Sequence, residues 1–173
     1  MTATLPHPSE IKEAPIAAAP PRHAFTITVP TDCLQLALPQ QLPSFHNPAA
    51  FVSVAVFVAA YGSFVFTVAT RPASSERSLR EALFDLCREK GFEIERAAPV
   101  AVDCGLAAGC IATQKTATGL MKMRILLLED DGRIFCLTGC SPAPLWRAHS
   151  VGFDQMFESF KLAEKFGQTL QVA

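Results

Sequence analysis

A chain of 173 residues with 15 basic and 16 acidic side chains, and hence a net charge of -1, fits one domain of about 100–150 residues plus a tail. It lacks the basic excess that nucleic acid rewards through counterion release, so nucleic acid is excluded as the expected partner. Half of the residues are hydrophobic and 18% are charged, which predicts an apolar surface patch as well as a core.

Residues 1–23 hold Pro6, Pro8, Pro15, Pro20 and Pro21 with alanines between them and few large apolar side chains, the composition of a disordered leader. The stretch from Met1 to Ser9 carries no Lys or Arg and is followed by no apolar h-region, so a cytoplasmic protein with reduced, mostly buried cysteines is expected. The domain itself is expected over residues 24–162, with 163–173 as a C-terminal tail. It opens where Phe25, Ile27 and Val29 alternate with Thr26 and Thr28, the period of a strand with one buried face. Leu34, Leu36 and Leu38 repeat that alternation in a second short strand closed by Pro39, and a loop rich in Pro and Gln leads to Pro48.

The stretch from Asn47 to Thr70 carries no charge and exceeds the roughly 20 residues that span a bilayer. Its β-branched and aromatic residues, the interruption at Ala60-Tyr61-Gly62-Ser63 and the Pro48 at its start favour a hairpin of two strands over a membrane helix. The period then changes. Leu79, Leu83, Leu86 and Cys87 fall on one helical face, Ser78 and Glu81 have capping-box spacing, and Gly91 stands where a left-handed residue ends a helix.

Strands are expected at Phe92–Arg96, Val100–Cys104 and Cys110–Lys115, separated by the small residues of Gly105–Gly109. Leu120–Leu128 and Arg133–Thr138 flank Glu129-Asp130-Asp131-Gly132, a tight-turn hairpin because Asp-Gly suits positive φ. Ser141-Pro142 supplies an N-cap hydroxyl and a first-turn proline for a last helix, along which Trp146, His149, Phe153, Met156, Phe157 and Phe160 recur. These elements make an α+β fold, a central antiparallel sheet of about six or more strands flanked by helices in an α/β/α sandwich.

The order of elements, with Phe25-Thr-Ile-Thr-Val-Pro30 at the start, Asp131-Gly-Arg-Ile-Phe135 in the late hairpin and Phe153-x-x-Met-Phe-x-Ser-Phe160 at the end, resembles the PsbP-like superfamily. That superfamily includes the photosystem extrinsic subunit and a Ran-release factor of nuclear import. The resemblance covers about Phe25 to Leu162 and implies an antiparallel sheet used as a non-enzymatic binding platform. Its bacterial relatives include chaperones of type VI secretion effectors that shield apolar segments, so a bacterial protein-binding or chaperone-like adaptor is what it implies here.

Four cysteines, Cys104, Cys110, Cys136 and Cys140, are the set from which a zinc site would be drawn. Within one strand Cys136 and Cys140 stand roughly 13 Å apart at about 3.3 Å per residue, too far for one tetrahedral ion unless the strand breaks at Gly139. Cys104 and Cys110 either face each other across strands or lie buried and inert. No metal, cofactor or catalytic residue is therefore assigned. The competing reading is a thiol-redox or metal-binding protein, or a small enzyme, built on Cys136, Cys140 and His149.

Lys122 and Arg124 alternate with Met121, Met123 and Ile125, which places two cations on one sheet face as an anion or acidic-partner site. Trp146 and His149, on the last helix, complete the candidate binding set. Val52, Val54, Val56, Phe64 and Phe66, in a hairpin apolar on both faces, belong either to a two-sided core or to an exposed patch for a homodimer or an apolar segment of a partner protein.

Overall fold

The computed structural model describes residues 12–13, 25–38, 50–59, 62–74, 77–102 and 105–162. The rest of the leader, the Pro- and Gln-rich loop, Cys104 and the tail lie outside them. Eleven strands and two helices follow in the order β1 (Lys12–Glu13), β2 (Phe25–Thr26), β3 (Thr28–Val29), β4 (Cys33–Gln35), β5 (Val52–Ala59), β6 (Val65–Pro72), α1 (Leu79–Lys90), β7 (Glu93–Val102), β8 (Gly105–Thr116), β9 (Gly119–Asp130), β10 (Arg133–Pro142), α2 (Trp146–Ser159) and β11 (Lys161–Leu162). Seven of them form one antiparallel sheet in the order β4-β5-β6-β10-β9-β8-β7. The short strands pair β1 with β3 and β2 with β11.

The uncharged stretch is a hairpin, β5 against β6. Among the described residues no helix is long and apolar enough to cross a membrane. Burial on both faces is what lets these strands be apolar throughout. Phe57, Phe66 and Val68 face α2 and β2–β3, with Phe135, Leu137, Phe153, Met156 and Phe157 in the same cluster. The opposite face holds Leu83 and Cys87 of α1 against Cys110, Met123, Ile125 and Leu127.

α1 carries the capping box that the sequence predicts: the Ser78 side chain accepts from the Glu81 backbone N–H, and Glu81 accepts from the Ser78 backbone N–H at 2.9 Å. Gly91 closes the helix at φ 67°. The β9–β10 turn is equally faithful, with Asp131 at φ 49° and Gly132 at φ 70°, the two positive φ values of the tight hairpin turn whose twist matches its strands.

Several boundaries differ from the sequence reading. The opening strand is two short ones, β2 and β3, with different partners, and residues read as the three strands Phe92–Arg96, Val100–Cys104 and Cys110–Lys115 are two long strands, β7 and β8. Ala107, Ala108 and Gly109 pair with Leu128, Leu127 and Leu126, so partner side chains supply the packing that the small residues lack, overriding their weak β propensity. Pro99 is tolerated because β7 is the border of the sheet. The last helix also starts later than Ser141. β10 continues to Pro142, a 3-10 turn spans Ala143–Leu145, and α2 begins at Trp146 without a side-chain cap. Ser141 is fully buried, its hydroxyl turned to the Pro142 carbonyl.

The helices cover the sheet diagonally. α1 lies against β7–β9 on one face, and α2 lies against β10 and β3 on the other. Each face therefore keeps one half that no helix among the described residues covers.

Candidate functional site

One open half, on the α2 side, is a cleft of about 280 Å³ lined by Arg96, Gly109, Ile111, Arg124, Trp146 and Asp154, among others. Arg96, Ile111 and Arg124 stand in one cross-strand row, which puts the backbones of the two arginines about 10 Å apart at two strand spacings, with Ile111 between them. α2 forms the wall by presenting Trp146, Ser150, Phe153 and Asp154 at helical spacing. The cleft exists because α2 is seated on β10. Gly139 has no side chain, and the Phe153 ring occupies that space, 2.6 Å from where a Cβ would stand. Trp146 packs on Phe153 with ring centroids 5.5 Å apart.

Arg124 pairs with Asp154 and lies 4.7 Å over the Phe157 ring. Lys122 binds Glu95 at 2.6 Å, its ammonium 5.8 Å from the Trp146 ring. Arg96 is exposed and has no ion pair among the described residues. Of the three cations on this face, Lys122 and Arg124 are ion-paired among the described residues and Arg96 is not.

Lys122 and Arg124 share a face, as their alternation requires, and Trp146 lies beside Lys122. His149 does not join them, because its ring stacks on Phe64 at 5.2 Å on the other side of Phe153. Arg96 and Asp154 are absent from the sequence-derived set. Arg96 follows a register shift between Ile94 and Arg96, which hides its face from any period-2 count. Asp154 was signalled by its spacing from Trp146 and Ser150.

The apolar candidates divide between the faces. Phe64 and Phe66 are core, Phe66 at 0% exposure beneath Phe157. Val54 packs partly against that same cluster, displaced by the irregularity between Ser53 and Ala55. Val52 is 39% exposed. Val56 lies on the opposite face, in the second open half, where Leu34, Val58 and Val65 form one row. Leu34 is 70% and Leu36 47% exposed. None of these side chains is charged.

The residues of the competing thiol reading are kept apart. Cys136 and Cys140 belong to the α1-side cluster, whereas His149 touches Phe64 of the α2-side cluster. β10 runs unbroken through Gly139, so the two cysteines stay at strand spacing. Burial pushes the Cys136 thiol up to about 11 and raises that of Cys140, which leaves both protonated at neutral pH. Among the described residues, no group of three His, Cys, Asp or Glu is placed to hold a metal ion.

No protein-family profile matches the chain, and no curated protein matches it by sequence. Solved structures do match. LpqN of Mycobacterium tuberculosis, described as involved in cell envelope biogenesis, superposes at a TM-score of 0.62 and 10% identity over 90% of this chain and 93% of its own. A mutant of the protein Mog1 gives 0.61 and 14% over 91% and 98%. The cyanobacterial PsbP of Synechocystis sp. PCC 6803 gives 0.59 and 10% over 80% and 86%. With the sheet order, the diagonal helices and these superpositions together, the chain has the PsbP-like fold that it shares with Mog1 and LpqN.

Proposed function

We propose that the chain is a non-catalytic protein-binding module of the cytoplasm that takes up an acidic segment of a partner in the cleft between α2 and β7–β9. The observation that carries this reading is Arg96, a cleft cation with no carboxylate partner among the described residues, in the same cross-strand row as Arg124. Asp154 already shows how a carboxylate sits on Arg124, and an incoming Glu or Asp side chain is the matching group for Arg96. Trp146 and Ile111 supply apolar walls for the stem of such a side chain. The neighbours in fold are compatible with a binding role but do not name a partner.

The second open half supports a further element of the same reading. An uncharged surface bordered by the edge strand β4 is matched by a second copy of itself, which makes a symmetric homodimer through Leu34, Leu36, Val56 and Val58 the proposed arrangement.

Trp146 is the single tryptophan and reports on the cleft directly. Titrating the full chain with a glutamate-rich peptide is expected to change its emission, an effect that salt weakens and that a lysine-rich peptide does not reproduce. Arg96→Ala is expected to lower the affinity tenfold or more, since a charge-assisted hydrogen bond contributes about 1.5–3 kcal/mol. Equal binding by wild type and Arg96→Ala would remove the cleft as the site.

A further inference from the structure

Cys87, in the last turn of α1, and Cys110, in the middle of β8, bring their sulfurs to 3.9 Å inside the α1-side core. Cys104, the partner that sequence spacing suggests for Cys110, lies outside the described residues. Both sides of the contact are fixed. The Cys87 carbonyl accepts the Phe92 N–H at 2.8 Å where the chain leaves α1, and Cys110 is held in the ladder between Ala97 and Ile125. A disulfide needs its sulfurs about 2.05 Å apart, so bond formation asks for side-chain rotation and a small approach of one helix end, with no rearrangement of strands.

We propose that Cys87 and Cys110 are a redox-active dithiol that closes to an intramolecular disulfide, tying the C-terminal turn of α1 to β8. Either sulfur can donate in this contact; with Cys110 as the donor, its bond lowers the Cys87 thiol, and Cys87 is then the first nucleophile and Cys110 the resolving group. Both side chains are buried, which excludes bulky disulfides and selects a small oxidant such as hydrogen peroxide.

The Cys87 thiolate attacks one peroxide oxygen, forming an S–O bond as the O–O bond breaks and hydroxide leaves to become water. The Cys110 sulfur then attacks the Cys87 sulfur. The S–S bond forms, the S–O bond breaks, and the departing hydroxide takes the Cys110 proton as a second water. Two thiols lose two electrons and the peroxide gains them.

Cys136 is the control, because it lies in the same buried cluster as Cys87 and Cys110. The full chain is treated with hydrogen peroxide in native buffer, its free thiols are counted, and linked peptides are mapped without reduction. Two of the six thiols are expected to disappear, a Cys87–Cys110 peptide pair to form, and dithiothreitol to reverse both. Cys136→Ala is expected to keep the link, whereas Cys87→Ser and Cys110→Ser each abolish it. Persistence of all six thiols in the folded protein would overturn the proposal. So would a link from Cys87 to Cys136, or a Cys87–Cys110 link that forms only in urea. The wild-type and Cys136→Ala maps decide the matter even where a serine variant does not fold.

Discussion

Gly139 and Phe153 are one packing unit made of residues that the chain holds far apart. A methyl group on Gly139 would meet Phe153 Cδ1 at 2.6 Å, and Cγ and Cε1 at 2.9 and 3.0 Å. The ring is held on its other sides by Phe64 and Trp146, so it has no free direction in which to retreat. Gly139→Ala is expected to cost about 1–3 kcal/mol, the usual penalty for overfilling a packed site, in urea denaturation, together with a shift of Trp146 emission. Unchanged stability would show that α2 slides without loss. In the sequence Gly139 stands out only as a place where the strand could break, because nothing local says that its partner is a ring fourteen positions on. Lys122 and Arg124 were legible for the opposite reason, since alternation alone fixes their common face. The Cys87–Cys110 contact was not legible, because it depends on where a helix lands on a sheet.

Among the elements, α1 is the one whose two ends are written in its own residues. Ser78→Ala removes the hydroxyl that accepts from Glu81 N–H, at an expected cost of roughly 0.5–2 kcal/mol. The Glu81 carboxyl is held below its ordinary value by the Ser78 backbone N–H first and then by the Ser78 hydroxyl, against an opposing desolvation, with Arg77 adding the least. A depressed native value means that this contribution is complete above the unfolded glutamate value of 4.5 and drains away as pH falls through the lower folded one. Glu81→Gln is accordingly expected to be less stable than wild type at neutral pH and to converge with it in acid, measured by thermal unfolding across pH. A constant difference would mean that the carboxylate charge plays no part. The Asp131-Gly132 hairpin shared this legibility. The limits of β7 and β8 did not, because alanine and glycine join a strand only when larger neighbours such as Leu126–Leu128 recruit them.

At the scale of the whole molecule, two helices on a seven-stranded sheet leave opposite corners open, one cationic and one apolar. The fold class and the apolar excess were readable from composition and periodicity; which corner each helix leaves bare was not, because that follows from the path of the chain after β6, over to β7 and back. The apolar corner gives the dimer its test. Sedimentation of the full chain is expected to show twice the 18.7 kDa mass, and Leu34→Lys to return it to one copy, since a charge in a mated apolar surface is heavily penalised. A wild-type protein that sediments as a monomer at every concentration sinks that arrangement.

The sheet also has two raw margins, and they are not equivalent. Along β7 the irregularity after Ile94 and the proline at 99 break the row of outward amides that a foreign strand would need to zip on, a familiar defence against fibre growth. Along the other margin β4 offers three residues and no proline. Addition of a foreign strand is therefore expected at the β4 margin before the β7 margin.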